Sequence, residues 1–388
     1  MDTRRTCVEI KAYLEGLPAS LGLTDVASRL ERIRAHLADK GLDALIVNHW
    51  SNVVYATGFD GIADVESPHI ALITAERAFA LIDSRYYEVA SKQSAATRWM
   101  TILARHEVRE KTVELIEESG CMRIGIEDSM PYGRFITWEE ALADREVTAT
   151  HRLIEDIREI KDLDEIARIS HSQAIAEEVF AFLLKHIKPG MTEKQIAFDI
   201  EFTLRNLGAE ALSFPPIVAA GVNGSMPHAK PSDYVVQEGD LVTLDFGAQY
   251  EGYKSDMTRT ICIGQACDFQ REIYALVLNA QQAAIDVVRA GVNAAEVDHA
   301  ARQIIDAAGY SENFGHGTGH GVGLDIHELP NLSPSSEGVL KTGSVVTIEP
   351  GVYVPEVLGV RIEDLVVVTD TGHHMITEAP KELIELDV

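Results

Sequence analysis

The chain has 388 residues, 46% of them apolar, enough material for two cored domains rather than one. Its 61 acidic against 34 basic residues leave a formal net charge of −27, which repels phosphate backbones and argues against a nucleic-acid partner. No uncharged apolar run approaches the roughly 18 residues of a membrane span, the first ten residues contain no apolar signal core, and four scattered cysteines (Cys7, Cys121, Cys262 and Cys267) are too few for a disulfide framework, so the expected home is the reducing cytoplasm.

In chain order, residues 27–40 carry apolar positions at helical spacing and stop at Gly41. Residues 42–48 read as a buried strand, 70–74 and 78–83 as paired strands around a polar turn, and 123–127 as another short strand. This part is predicted to be a compact α/β unit without a constellation of metal ligands or nucleophiles. A boundary near 148–161 gives domains 1–155 and 156–388. Beyond it a helical pattern covers 163–187, followed by a turn at Pro189-Gly190 and a helix at about 192–207. Strands are expected near 217–219, 241–247 and 258–263, helices at about 270–289 and 294–307, and strands near 345–348 and 360–368. Cys262 and Cys267 have the look of half a metal site, but no second pair exists, and they read as buried thiols in or after a strand.

The C-terminal part repeats itself. Gly239-Asp-Leu-Val-Thr-Leu-Asp245-Phe-Gly247 reads like Gly343-Ser-Val-Val-Thr-Ile-Glu349-Pro-Gly351. A second acid follows each copy: Asp256 in Gly252-Tyr-Lys-Ser-Asp and Glu363 in Gly359-Val-Arg-Ile-Glu. Upstream, the segment from Lys188 echoes that from Arg289, and the offsets are 101, 104 and 107 residues. Duplication predicts an α+β fold with pseudo-twofold symmetry and four acids converging where the halves meet. Four carboxylates at close range force protonation unless cations lie between them, so the simplest reading is bound metal.

Histidines complete the pattern. His316, His320 and His327 fall within twelve residues of a glycine-rich segment, and His228 lies in Met226-Pro-His-Ala-Lys ahead of the first acid strand. A phosphate loop is the bland reading of the glycines, but no Gly-Lys-Ser/Thr follows. The predicted ligands are Asp245, Asp256, His320, Glu349 and Glu363. Four acids carry −4 and two divalent cations carry +4, so two ions balance the site. A water bridging them would ionise near neutral pH. Mixed carboxylate and imidazole donors suit manganese, cobalt, zinc or iron. Arg361, two residues before Glu363, is placed to orient carboxylates from behind the ligands, and Thr258, two after Asp256, is a weaker candidate for the same task.

These five residues, in this order and inside these motifs, resemble the metal ligands of the pita-bread metallopeptidases, the family of methionine aminopeptidase, aminopeptidase P, prolidase and creatinase. The resemblance covers nearly the whole chain: Val53-Tyr55-Thr57-Gly58-Phe59 and Asp83-Ser-Arg-Tyr-Tyr87 look like the creatinase-type N-terminal domain of the proline-specific branch. It implies a C-terminal pita-bread domain behind a smaller α/β domain, and two divalent ions, with manganese first and cobalt, zinc or iron as alternatives. Asp245 would chelate one ion, His320 and Glu349 the other, and Asp256 and Glu363 would bridge both. Glu349 would also accept the proton of the attacking water. His228 and His327 match substrate-side histidines, and His316 a histidine near the proline.

The implied activity is hydrolysis of the bond between a first residue and a penultimate proline in short peptides, by a homodimer. Asn331, where some prolidases carry Arg, tilts the reading toward aminopeptidase P-like action, with Xaa-Pro dipeptidase as the alternative. A hydrolase of a small non-peptide amide and a non-catalytic binding protein are the rivals from other classes.

Overall fold

The computed structural model describes residues 17–18, 21–22, 24–59 and 69–387, so Cys7 lies outside it. The chain divides into two compact units, one of residues Leu23–Arg158 and one of Glu159–Val388 with the described residues up to Gly22. Among the described residues, no helix is long and apolar enough to cross a membrane. Cys121, Cys262 and Cys267 are free, and Cys267 is exposed rather than buried.

The first unit is built on a six-stranded mixed sheet. Its order is Met100–Leu103, Ala78–Ile82, Ile70–Thr74, Ala44–Val47, Arg123–Glu127 and Glu146–Thr150. The expected pair around the polar turn is antiparallel, with Leu72 opposite Phe79. Helix Val26–Asp39 starts at Asp25, whose carboxylate accepts the Ser28 N–H at 2.8 Å, and turns Leu30, Ile33 and Leu37 inward. Helix Trp50–Thr57 ends at Gly58, where φ is +66° and a Cβ would stand 2.5 Å from Val26 Cγ2; conformation and space both require glycine there.

The duplication is visible in the backbone of the second unit. Helices Leu163–His186 and Glu193–Asn206 form one pair, and Asp268–Val287 and Ala294–Ala307 the other. Thr192 and Asn293 cap the second helix of each pair and make the same isolated bridge, to Val235 and to Val339. Gly190 N–H donates to Val236 O at 2.9 Å, and Gly291 N–H to Leu340 O at 2.8 Å. Gly239 and Gly343 open the acid strands with φ of +91° and +92°.

Each half has its own core. In the first, Val179, Phe180, Ile196 and Ile200 of the helices meet Val242, Leu244 and Phe246. In the second, Ile273, Val277, Val297 and Ile305 meet Val346, Ile348 and Val366. Full burial of such side chains is worth about 1.5–3 kcal/mol each, so the apolar positions fix strand register. The alternate positions, Thr243 and Asp245 in one half and Thr347 and Glu349 in the other, then point away from the helices.

Residues 360–368, expected as one strand, form two. Leu358–Arg361 pairs with Gly351–Val354, and Asp364–Val368 pairs with Val345–Ile348. The break falls at Ile362-Glu363 because the Glu363 N–H turns to Thr258 O, at 3.1 Å, on a strand of the other half. Thr260 Oγ1 donates to Arg361 O at 3.0 Å just before it.

Candidate metal centre

Asp245 is the penultimate residue of strand Leu241–Phe246, directly across from Thr258 on one side and Ile217 on the other. Asp256 immediately precedes strand Met257–Ile263, and Glu349 immediately follows Val345–Ile348. Glu363 occupies the break just described. His320 is held between Gly319 and Gly321 in a three-residue strand. A Cβ at Gly319 would stand 2.0 Å from Thr347 O and one at Gly321 2.1 Å from Leu329 O, so only glycines let three strands close around this histidine.

The five predicted ligands line one cavity of about 800 Å³, together with His228, His316, His327 and Arg361. Asp256, His320 and Glu363 each offer a ligand atom, all within 4.8 Å of one another. His320 Nε2 lies 3.3 Å from Glu349 Oε1 and 3.6 Å from Asp256 Oδ2. His320 Nδ1 is 3.0 Å from Gly321 O, an arrangement in which Nδ1–H donates and the Nε2 lone pair faces the acids. Lone pairs aimed at lone pairs need a proton or a cation between them.

Electrostatics gives the same answer. Burial pushes the Asp256 carboxyl far above the ordinary carboxylate range, and the charges of Glu363, Asp245 and Glu349 push it further. Burial first, then Glu349 and Asp245, do the same to Glu363, and burial raises Glu349. Burial lowers His316, His320 and His327, which favours neutral, ligating imidazole. Asp245 Oδ1 and Glu363 Oε1 are buried without a donor. A set of acidic oxygens and one imidazole nitrogen, with orphaned lone pairs inside, fits divalent cations.

Arg361 is buried behind the ligands. It pairs with Asp245 Oδ2, donates to Thr258 Oγ1 at 3.1 Å and reaches Pro227 O at 3.2 Å. Thr258 Oγ1 donates onward to Glu363 Oε2 at 2.7 Å. Both residues therefore touch carboxylates of the candidate site, and the strand carrying Arg361 ends there.

Tyr353 was not foreseen. Its hydroxyl accepts from Arg361 Nη1 at 2.8 Å and lies 2.9 Å from His316 Nε2, while His316 Nδ1 is 2.8 Å from Gly317 O. Both nitrogens of His316 are thus engaged by the protein, and it offers the cavity ring surface rather than a free N–H. His228 and His327 are exposed on the cavity wall. Phe214, Pro215, Pro216 and Ile217 form an apolar wall. Their Phe-Pro-Pro run ahead of a strand was the available signal. Asn331 is exposed and does not line the cavity.

The family model for metallopeptidase family M24 matches residues 167–370, and that for the Creatinase/Prolidase N-terminal domain matches residues 29–160. A Pyrococcus horikoshii protein named Xaa-Pro dipeptidase is 35% identical, over 92% of this chain and 98% of its own length. Among solved structures, an Xaa-Pro dipeptidase from Bacillus anthracis superposes with a TM-score of 0.88 at 38% identity, covering 93% of this chain and 100% of that one. An X-Pro aminopeptidase from Thermotoga maritima gives 0.84 at 33% identity, covering 92% and 99%. With ligand-bearing halves duplicated in the backbone and both family models matched in sequence, the chain belongs to metallopeptidase family M24 and carries a creatinase/prolidase-type N-terminal domain.

Proposed function

We propose that this chain is a metal-dependent Xaa-Pro peptidase, hydrolysing the bond between a first residue and a penultimate proline. The observation that carries the reading is the convergence of four acids and His320 in a cavity whose wall presents two exposed histidines, His228 and His327. Asp245, Asp256, His320, Glu349 and Glu363 are the residues that would hold two divalent ions there. Two divalent ions held there would supply a Lewis acid for the scissile carbonyl and a water acidified enough to attack near neutral pH. Manganese is the metal we favour on the oxygen-rich donor set, and free cysteines suit a cytoplasmic protein. A homodimer is proposed by family likeness alone.

The residues divide the work. Arg361 and Thr258 fix the carboxylates of Asp245 and Glu363 before substrate arrives, so little reorganisation is left for the reaction itself. His228 and His327 donate N–H to the carbonyl oxygen as negative charge grows there. Glu349 takes the proton released by the attacking water and passes it to the leaving proline nitrogen. An Xaa-Pro bond has no N–H, and its ring fixes φ, so a site gripping that N–H fails where this one does not. The apolar wall at Phe214, Pro215, Pro216 and Ile217 receives the pyrrolidine ring.

The test is release of the first residue from Ala-Pro and from Ala-Pro-Ala, after chelation and after return of manganese. Activity is expected to fall by at least about a hundredfold on chelation and to recover. Chelation without effect sinks the reading.

A further inference from the structure

Among the described residues, one arginine and one lysine line the cavity, Arg361 and Lys230. Arg361 is 3% exposed and spends its donors on Asp245, Tyr353, Thr258 and Pro227 O. Lys230 is exposed and makes no hydrogen bond or ion pair with any described residue. In a chain of net charge −27, an ammonium beside an acidic cavity and left without a carboxylate is unusual.

The segment that carries Lys230 is held firmly. Glu193, fully buried, accepts from Ala220 N at 2.8 Å and Asn223 Nδ2 at 3.0 Å on one side. On the other it accepts from Ser232 N at 2.9 Å and Ser232 Oγ at 2.6 Å. Arg361 fixes Pro227 O within the same stretch, and Pro231 biases Lys230 toward extended backbone. His228 and Lys230 are therefore presented from one braced loop, two residues and so at most about 7 Å apart along the backbone.

Resting on the Xaa-Pro reading, we propose that Lys230 binds the C-terminal carboxylate of an Xaa-Pro dipeptide and equips this chain for dipeptides as well as longer peptides. His228 marks the scissile carbonyl. The carboxylate of a terminal proline lies one residue beyond it, about 3.6 Å along the chain, within reach of a lysine rooted two residues after His228. Four acids repel that carboxylate, and two divalent ions no more than balance them. The cavity wall then offers one uncommitted cation, Lys230. Asn331 is uncharged and does not line the cavity, so it supplies no counter-charge there.

The experiment compares kcat/KM for Ala-Pro with that for Ala-Pro-amide, which lacks the carboxylate, in the manganese-loaded enzyme and in Lys230→Met, Lys230→Glu and Lys230→Arg. In Lys230→Met the ratio of Ala-Pro to Ala-Pro-amide is expected to fall on the order of tenfold to a hundredfold, through KM, with loss of one charge-assisted contact. Lys230→Glu lowers it further, and Lys230→Arg restores most of it. Hydrolysis of the amide by each variant shows that it is folded. A ratio unchanged in Lys230→Met and Lys230→Glu overturns the assignment, as does a fall carried by kcat alone. A wild-type enzyme that cleaves neither substrate with metal present fails the Xaa-Pro reading itself.

Discussion

Tyr353 joins two things that the sequence kept apart, a ring in the cavity and the guanidinium behind the ligands. The Arg361 N–H donates to its oxygen, which leaves the phenol O–H for His316 Nε2. Tyr353→Phe removes both bonds from a buried site and is expected to cost about 1–3 kcal/mol of stability. We expect kcat to fall at least about tenfold as His316 and Arg361 lose their common partner; a variant with wild-type kcat would show the chain to be ornamental. Elsewhere, Glu127 is buried in the first unit, accepting from Asn48 N at 2.6 Å, His49 N at 2.7 Å and Asn52 Nδ2 at 2.7 Å. Burial outweighs these donors and pushes its carboxyl from 4.5 up to about 7. Below pH 4.5 folded and unfolded forms are both protonated. Between there and about 7 the unfolded chain ionises while the folded one keeps its proton, so stability falls as pH rises, by on the order of 3 kcal/mol, and is flat above. Trp50, Trp99 and Trp138 all lie in this unit, so tryptophan fluorescence during urea unfolding follows it. Glu127→Gln should flatten the midpoint across that pH window, and a slope that survives the substitution belongs to other groups.

Strand Glu328–Leu332 begins one residue after His327 and shows how an element holds a site residue it does not contain. Glu328 is anchored by Lys161, with Nζ to Oε2 at 3.1 Å and both side chains nearly inaccessible at 1% and 5%. Its other oxygen accepts the Asp325 N–H at 2.9 Å. Lys161→Met removes the ammonium beside a buried carboxylate and is expected to cost about 3–5 kcal/mol, with His327 misplaced and activity reduced. Lys161→Met with Glu328→Gln keeps an acceptor for Asp325 without the charge and should recover at least about half of that loss. Urea midpoints of the two variants decide it, and a double variant no better than the single one would assign the damage to packing. Nothing in the sequence joined Lys161 to Glu328, 167 positions apart. Elements with a repeated pattern were legible: the helices of 14 residues at Glu193–Asn206 and Ala294–Ala307, and the strands bearing Asp245 and Glu349. The β-branched and apolar residues on both sides of Glu363-Asp364 made 360–368 read as one strand and hid the switch of sheets at Glu363, because a backbone bond to the other half leaves no mark on hydrophobic period.

At the scale of the molecule, each half contributes what the other lacks. Asp245 and Asp256 come from the first copy, Glu349 and Glu363 from the second, and each pair is carried by strands whose apolar faces are spent on their own helices. That division explains why the four acids of the candidate site stood out in the sequence, since duplication repeated their positions, while Tyr353 and Lys230 did not, since neither has a counterpart in the other copy. It also sets what metal must do to stability. Each ion bound only by the folded unit would stabilise it by mass action, by about 2.7 kcal/mol at a hundred times its dissociation constant. Amide exchange should therefore slow by at least about a hundredfold on manganese addition wherever exchange requires opening of the site. Because the ligands are shared, the gain must appear in Leu241–Phe246 and in Val345–Ile348 alike, and chelation must remove it from both. Protection gained by one strand alone would put the ions within a single half. Manganese bound with no added protection in either strand would put them outside this cavity altogether.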